Sequence, residues 1–390
     1  FGDLRTAVAF NDNGGKEVGQ VATRLNLDLD LKLTGTERIH AFIRPLDRAG
    51  QFTNFEFSGD DRDPGLDVRL DGNIETLFFE GDAGAIYAGL TDTYSSVDVP
   101  IAFGLTPFIF QNGVWLEDAF TGGAVTIAAK NSPALNISNM DFTFFAGFDK
   151  VTTPAAKEVG GALDDNELNV FGVAAFFDAN EGYWEAGYGL IDGEDGFNDI
   201  GYQSLTVAFT SRYGAWLSNS IRLVNTFDQD RDNGAQQTAD GQMILIENSL
   251  ITSKPSTLVP YFNFWAGFDR PQPLADATGL LKNTGINFET DGLTGFPKLD
   301  DTGHDTFGGA VGVSYIFNLD RQLVVEAATV QIIGDEFEPG RTAVADQFGF
   351  QIRYQQPFAP GWIVRADAMY GVLEEKDDLS GVRLEVRRKF

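Results

Sequence analysis

The chain has 390 residues, with 28 lysines and arginines against 57 aspartates and glutamates. That formal charge of −29 leaves no basic surface for a phosphate backbone and excludes a nucleic-acid partner. There is no cysteine, which removes disulfides, thiolate nucleophiles and Cys-ligated metal centres, and no apolar run reaches the roughly 18 residues a membrane helix needs.

The chain opens Phe1-Gly2-Asp3 without a hydrophobic leader, as expected of a mature form or of a chain whose first residues are absent. The first clear pattern is Leu25-Asn26-Leu27-Asp28-Leu29-Asp30-Leu31-Lys32-Leu33, where five leucines share one face of an extended strand. Gly35-Thr36-Glu37 turns the chain, and Arg38–Arg44 alternates again with Ile39, Ala41 and Ile43 on one side, which predicts a β-hairpin. Further along, tight turns are expected near 35–36, 81–84, 132–135, 180–182, 213–214, 254–257, 318–321 and 357–361. Long polar loops are expected near 11–20, 46–72, 94–120, 151–166, 192–200, 228–241, 270–304, 334–345 and 374–379. Their strict alternation predicts about 18 strands, or 16 or 20 with one hairpin misassigned. Strands of roughly 9–11 residues leave about half the chain for connections.

A soluble β-sandwich alternates as well, but here the apolar faces carry rings near strand ends: Phe348, Phe350 and Tyr354, Trp362 and Tyr370, Tyr315 and Phe317. Aromatic girdles at two membrane interfaces explain that placement, and the opposite faces, with Gln351, Arg353, Arg365 and Asp367, need water. The fold class is therefore all-β, a transmembrane antiparallel up-and-down barrel, with residues 1–390 as one domain. Phe144–Lys150 and Phe264–Arg270 echo one another, which a shared strand-end grammar of rings followed by charge explains.

The final segment, Val382-Arg383-Leu384-Glu385-Val386-Arg387-Arg388-Lys389-Phe390, resembles the C-terminal signature of Gram-negative outer-membrane barrels read by the barrel-assembly machinery. Arg388 departs from it at a lipid-facing position, where a side chain near the interface can snorkel. Together with the turn-and-loop rhythm, the chain resembles outer-membrane porins. Its third loop is similar to the constriction loop of general porins, and its strand count to substrate-specific and alginate-export channels. The resemblance implies an outer-membrane location among lipid and lipopolysaccharide, both termini periplasmic, a homotrimer, and passive passage of small hydrophilic solutes or ions. The alternatives are a substrate-specific channel for an anionic sugar or oligosaccharide, or a plugged structural or partner-binding barrel.

The third loop, 94–120, is too apolar to wave in water, so it is expected either to fold against the inner wall or to pack over the rim or a neighbouring subunit. In the first case Asp98, Glu117 and Asp118 supply acid at the constriction. Inward parity gives arginine at Arg24, Arg38, Arg44, Arg222, Arg353, Arg365 and Arg383, either a wall facing that loop across a transverse field or scattered pairs with Asp28, Asp30, Asp367 and Glu385. Asp228, Asp230 and Asp232 alternate as in a calcium loop, but Gly234 comes one place late, Arg231 competes, and no Glu completes the set. A solvated acidic loop is the plainer reading, and the same holds for Asp192–Gly196 and Asp60–Asp63. Such loops can share divalent ions with lipopolysaccharide. With two histidines, His40 and His304, and no serine in a nucleophile-elbow context, no enzyme and no cofactor are expected.

Overall fold

A computed structural model describes residues 1–48, 50–59, 65–72, 74–160, 167–194, 196–318 and 321–390. Asp60–Asp63, Asp195 and the centre of the 318–321 turn lie outside them. The alternating leucines do form a strand, β2 (Glu17–Lys32), in which Leu29 and Leu31 stand exposed on the outer face. It follows β1 (Gly2–Asn13) and pairs with β3, which runs in two pieces, Arg38–Ile43 and Gln51–Gly59. The break begins where Pro45 has no N–H for the ladder, and the chain there tucks inward so that Asp47 is buried beside Arg44, at 3.4 Å. β4 is likewise split, Gly65–Asp67 and Ile74–Asp82.

The rest are β5 (Pro100–Phe110), β6 (Leu116–Ser132), β7 (Ile137–Asp149), β8 (Leu168–Ala179), β9 (Gly182–Gly193) and β10 (Tyr202–Tyr213), then β11 (Leu217–Phe227), β12 (Asp240–Leu250), β13 (Leu258–Arg270) and β14 (Thr306–Asn318), then β15 (Arg321–Ile332), β16 (Gln347–Ala359), β17 (Trp362–Leu373) and β18 (Leu379–Lys389). Each pairs antiparallel with its neighbours in sequence, and β18 returns to pair with β1, so the 18-strand barrel is closed and has no sheet edge. Among the described residues no helix is long and apolar enough to cross a membrane. The strands do it instead: Phe10, Phe144, Phe264, Phe350 and Leu384 point outward, exposed, where only hydrocarbon makes such a surface stable. The two echo segments follow the same grammar, Phe148 and Phe268 outward, Phe145 and Trp265 buried inside.

Three expectations are corrected. The long loop near 11–20 is a turn of residues 14–16, because β1 and β2 stay paired as far as Asp12 and Glu17. The turn near 81–84 is a long connection holding α1 (Ala83–Thr91). The segment 94–120 is not one loop: residues 100–110 are β5, residues from 116 onward are β6, and 111–115 join them. It reads as an apolar loop because β5 is apolar on both faces. Phe103 and Ile109 face lipid, while Phe108 is buried against Phe120 and Phe145 inside. The long connection that does enter the lumen is 271–305, between β13 and β14. With Trp115, Leu116 and the α2 turn (Pro154–Glu158), it builds an apolar core inside the half of the barrel that carries the long loops. Trp115 is fully buried, donates Nε1–H to Ser204 Oγ at 3.0 Å, and lies on Gly187, where a Cβ would stand 2.5 Å from its ring.

Candidate functional site

Residues 271–305 contain Leu274, Leu280, Leu281, Phe288, Phe296 and Leu299, more apolar surface than a solvated loop tolerates, and all six are buried in the lumen. The loop is tied down along its length. Leu274 N donates to Trp115 O at 2.7 Å, Ala275–Asp276 pairs in parallel with Leu116–Glu117, and Asp276 N reaches Thr152 O at 2.8 Å. Farther on, Glu326 of β15 accepts from Ile286 N (3.1 Å), Asn287 N (2.8 Å) and Asn287 Nδ2 (2.8 Å). At the far wall the side-chain amides of Asn11 and Gln20 both donate to Thr294 O, at 2.7 and 2.8 Å. The loop thus crosses the lumen from β6 to β1 and β2 and sets its cross-section.

Against it stands an arginine wall on the neighbouring strands β16, β17, β18, β1 and β2. Asp367 is buried at its centre and accepts from Arg353 Nε at 2.6 Å, Arg365 Nε at 2.9 Å and Arg383 Nη2 at 2.9 Å. The loop adds two more carboxylates: Glu289 pairs with Arg353 and, at 3.2 Å, with Arg365, and Asp291 with Arg383 at 2.6 Å. Burial by itself would raise both carboxyls, but the facing guanidiniums hold them below the usual carboxylate range. Two inward-facing rows from Arg383 toward the tight turns, beyond Glu385, Arg5 stands directly opposite Arg387 on one side and Arg24 on the other. Like charges in adjacent register are unfavourable without compensation. Asp3 answers Arg5 at 3.4 Å and also Arg387, whereas Arg24 has Asn26 Oδ1 at 2.9 Å and the Phe52 ring.

The expected arginine wall is therefore drawn together only in part. Arg353, Arg365 and Arg383 meet, Arg24 lies in the Arg5–Arg387 row, and Arg44 is taken up by Asp47 and Glu75. Arg38 sits near the turn rim beside Glu80 at 3.7 Å, and Arg222 is on β11, between Glu247 (2.8 Å) and Glu185 (3.5 Å). The acids named with them separate. Asp98 lies exposed on the β4–β5 connection at the turn rim. Glu117 meets the lumen loop through Lys282 Nζ (3.0 Å) and Asn283 Nδ2 (3.1 Å), whereas Asp118 accepts from Thr152 N (2.7 Å) and Ala119 N (2.8 Å) as a structural anchor. The acids that face the arginines touch them, so the expected field across a gap is replaced by a charged seam between wall and loop.

Arg5, Arg387, Glu289, Asp291 and Lys282 were not picked out from sequence. Arg387 shares the inward parity of Arg383 and Glu385, and the apolar residues of 271–305 carried the signal that was assigned to 94–120. Asp228, Asp230 and Asp232 do not converge: Asp228 accepts from Gln203, Asp232 N turns to Asp199, and the loop is organised around buried Gln229, whose Oε1 takes Thr238 N at 2.6 Å and Ala239 N at 3.0 Å. No three acidic or histidine side chains come together to hold a metal among the described residues. His304 is buried at the end of the lumen loop, where desolvation, aided by Arg270, depresses its pKa to about 3 and keeps it neutral. His40 lies near the turn rim beside Glu80 at 3.1 Å.

No protein-family model matches the chain, and no curated protein matches it. Solved structures do. OccK7 (OpdD) of Pseudomonas aeruginosa is 11% identical with a TM-score of 0.64, over 99% of this chain and 98% of that one. OccK2 (OpdF) of the same organism, in complex with glucuronate, is 11% identical with a TM-score of 0.59 over 99% and 96%. OpdK of Pseudomonas aeruginosa with vanillate is 12% identical at 0.59 over 99% and 97%. These are outer-membrane porins, and at such identities the likeness is one of fold, that of the closed 18-strand barrel.

Proposed function

We propose that the chain is an outer-membrane channel passing small hydrophilic solutes down their gradient, with a preference for those carrying a carboxylate. One observation carries this reading. In a chain of formal charge −29, Arg387, Arg5 and Arg24 form a row in the lumen, and among the described residues Asp3 is the sole carboxylate within ion-pair distance of it. A narrow, low-dielectric passage focuses such an excess and raises the local concentration of anions. Glucuronate and vanillate, bound by two of the structural neighbours, are both carboxylates, which agrees with it. On this reading the long loops face outward among lipopolysaccharide, both termini are periplasmic, the Val382–Phe390 strand is read by the assembly machinery, and the barrel works as a homotrimer.

Planar-bilayer recording tests it. The expected result is a reversal potential favouring anions in a salt gradient, current block that saturates with glucuronate, and loss of the anion preference in Arg5→Gln/Arg24→Gln/Arg387→Gln. Cation selectivity, or an anion preference unmoved in the triple variant, overturns the proposal. The apolar core around Trp115, Phe120, Leu280 and Phe288 favours a second reading, a plugged structural or partner-binding barrel, for which reconstituted protein passes no current.

A further inference from the structure

Asp367 and Glu289 hold the same two arginines in different ways. The side chain of Asp367 is fully buried, whereas that of Glu289 is 37% exposed. Glu289 borders an open chamber of the lumen lined by Glu247, Ser249, Tyr261, Asn263 and Lys282. The backbone on either side of it is pinned independently of its carboxylate. Asn287 is held by Glu326, Phe288 packs edge-on against Trp265 at 5.0 Å, and Asp291 holds both Thr294 N (3.0 Å) and Arg383. The Glu289 side chain can therefore turn into the chamber while the loop stays in place.

Arg353 and Arg365 present two guanidiniums to one group at the lumen surface, and that group is chemically what a carboxylate solute offers. We infer that Glu289 is a resident ligand of the Arg353–Arg365 pair, a tethered carboxylate that a permeating carboxylate must displace. The inference rests on the channel reading above and adds a specificity-determining residue to it. Cations and neutral sugars cannot take the two guanidiniums and pass with Glu289 in place. A carboxylate can, but with an apparent affinity lowered by the fraction of time the site stands vacant. A short tether keeps its group at millimolar or higher effective concentration, so a site vacated about a tenth of the time weakens apparent binding about tenfold.

The experiment is current block of the full-length barrel by glucuronate in planar bilayers, comparing wild type with Glu289→Gln and Glu289→Asp, with conductance in potassium chloride as the control for folding. Glu289→Gln removes the charge, and Glu289→Asp keeps it but is one methylene too short to bridge both arginines. Displacement predicts that both variants tighten the apparent dissociation constant, by about tenfold for the glutamine. An effect of the lumen field alone tightens only Glu289→Gln and leaves Glu289→Asp at the wild-type value, which overturns the inference. So does a constant unchanged in both. Failure of both variants to fold overturns it as well, since Glu289 would then be a structural anchor. A wild-type barrel that passes no current refutes the channel reading first, and this one with it.

Discussion

Replacing Asp367 by asparagine removes the one carboxylate that Arg353, Arg365 and Arg383 share while keeping its shape, so no cavity opens. The native oxygens take three guanidinium N–H groups at 2.6 to 2.9 Å, and the Arg383 side chain is 1% exposed. Each charge-assisted hydrogen bond contributes about 1.5–3 kcal/mol, and the amide keeps an acceptor for one or two of them. Its NH2 then meets a guanidinium with no acceptor. Breaking one partner of a buried ionic group costs about 3–5 kcal/mol, because the remaining charges stay where they are, and we expect Asp367→Asn to fall in that range. Urea unfolding from lipid vesicles, followed by tryptophan fluorescence, measures it. Adding Arg383→Gln restores the charge count, and about 1 kcal/mol or more should return, within the range of coupling between contacting groups. A loss below about 1 kcal/mol in Asp367→Asn would show that lumen water already satisfies these arginines, and the seam would lose its structural role.

Two further outcomes follow from the lumen loop. Glu326→Ala removes the acceptor of Ile286 N, Asn287 N and Tyr261 Oη–H, so loop 271–305 should loosen, with larger and noisier single-channel currents and about 2–4 kcal/mol lost; unchanged traces would show that the remaining anchors suffice. Burial raises the Asp300 carboxyl to about 6 from 3.8, so its folded form binds the extra proton and the loop loses stability as pH rises across that window, by up to about 3 kcal/mol. His304, depressed to about 3, acts in the opposite sense, losing stability as pH falls below about 6.5. Asp300→Asn isolates the first effect: amide exchange in 279–303 should be slower than in wild type at pH 7, with the difference closing as pH falls to about 3.8, and equal rates at pH 7 would refute it.

The barrel itself was legible because a period of two survives wherever one face meets lipid and the other carries polar side chains, as in Leu25–Leu33 or Gln347–Tyr354. It failed at β5, where the inward face meets not water but Phe120 and Phe145, and alternation vanished into an apolar run. It failed again at Asp82, where the chain enters α1 with Asp82 Oδ1 capping Ala85 N at 2.6 Å instead of turning back at once. For the site, parity found Arg353, Arg365 and Arg383 but said nothing of height or partners. Those depend on the register between strands and on a loop that returns across the lumen, and both are long-range properties. Glu289 and Asp291 sit in a segment without periodicity, so no pattern marked them.

The row of Arg387, Arg5 and Arg24 straddles the join between the last strand and the first, and its shared acid, Asp3, lies 384 positions from Arg387. Each half of that charge therefore comes from an opposite end of the polypeptide. An intermediate with β1 and β18 apart leaves Arg387 without Asp3, which stays beside Arg5 on β1, and the zipping that seals the cylinder also brings the third arginine to the acid. Closure of the barrel and completion of this charged row are, at this one place, the same event.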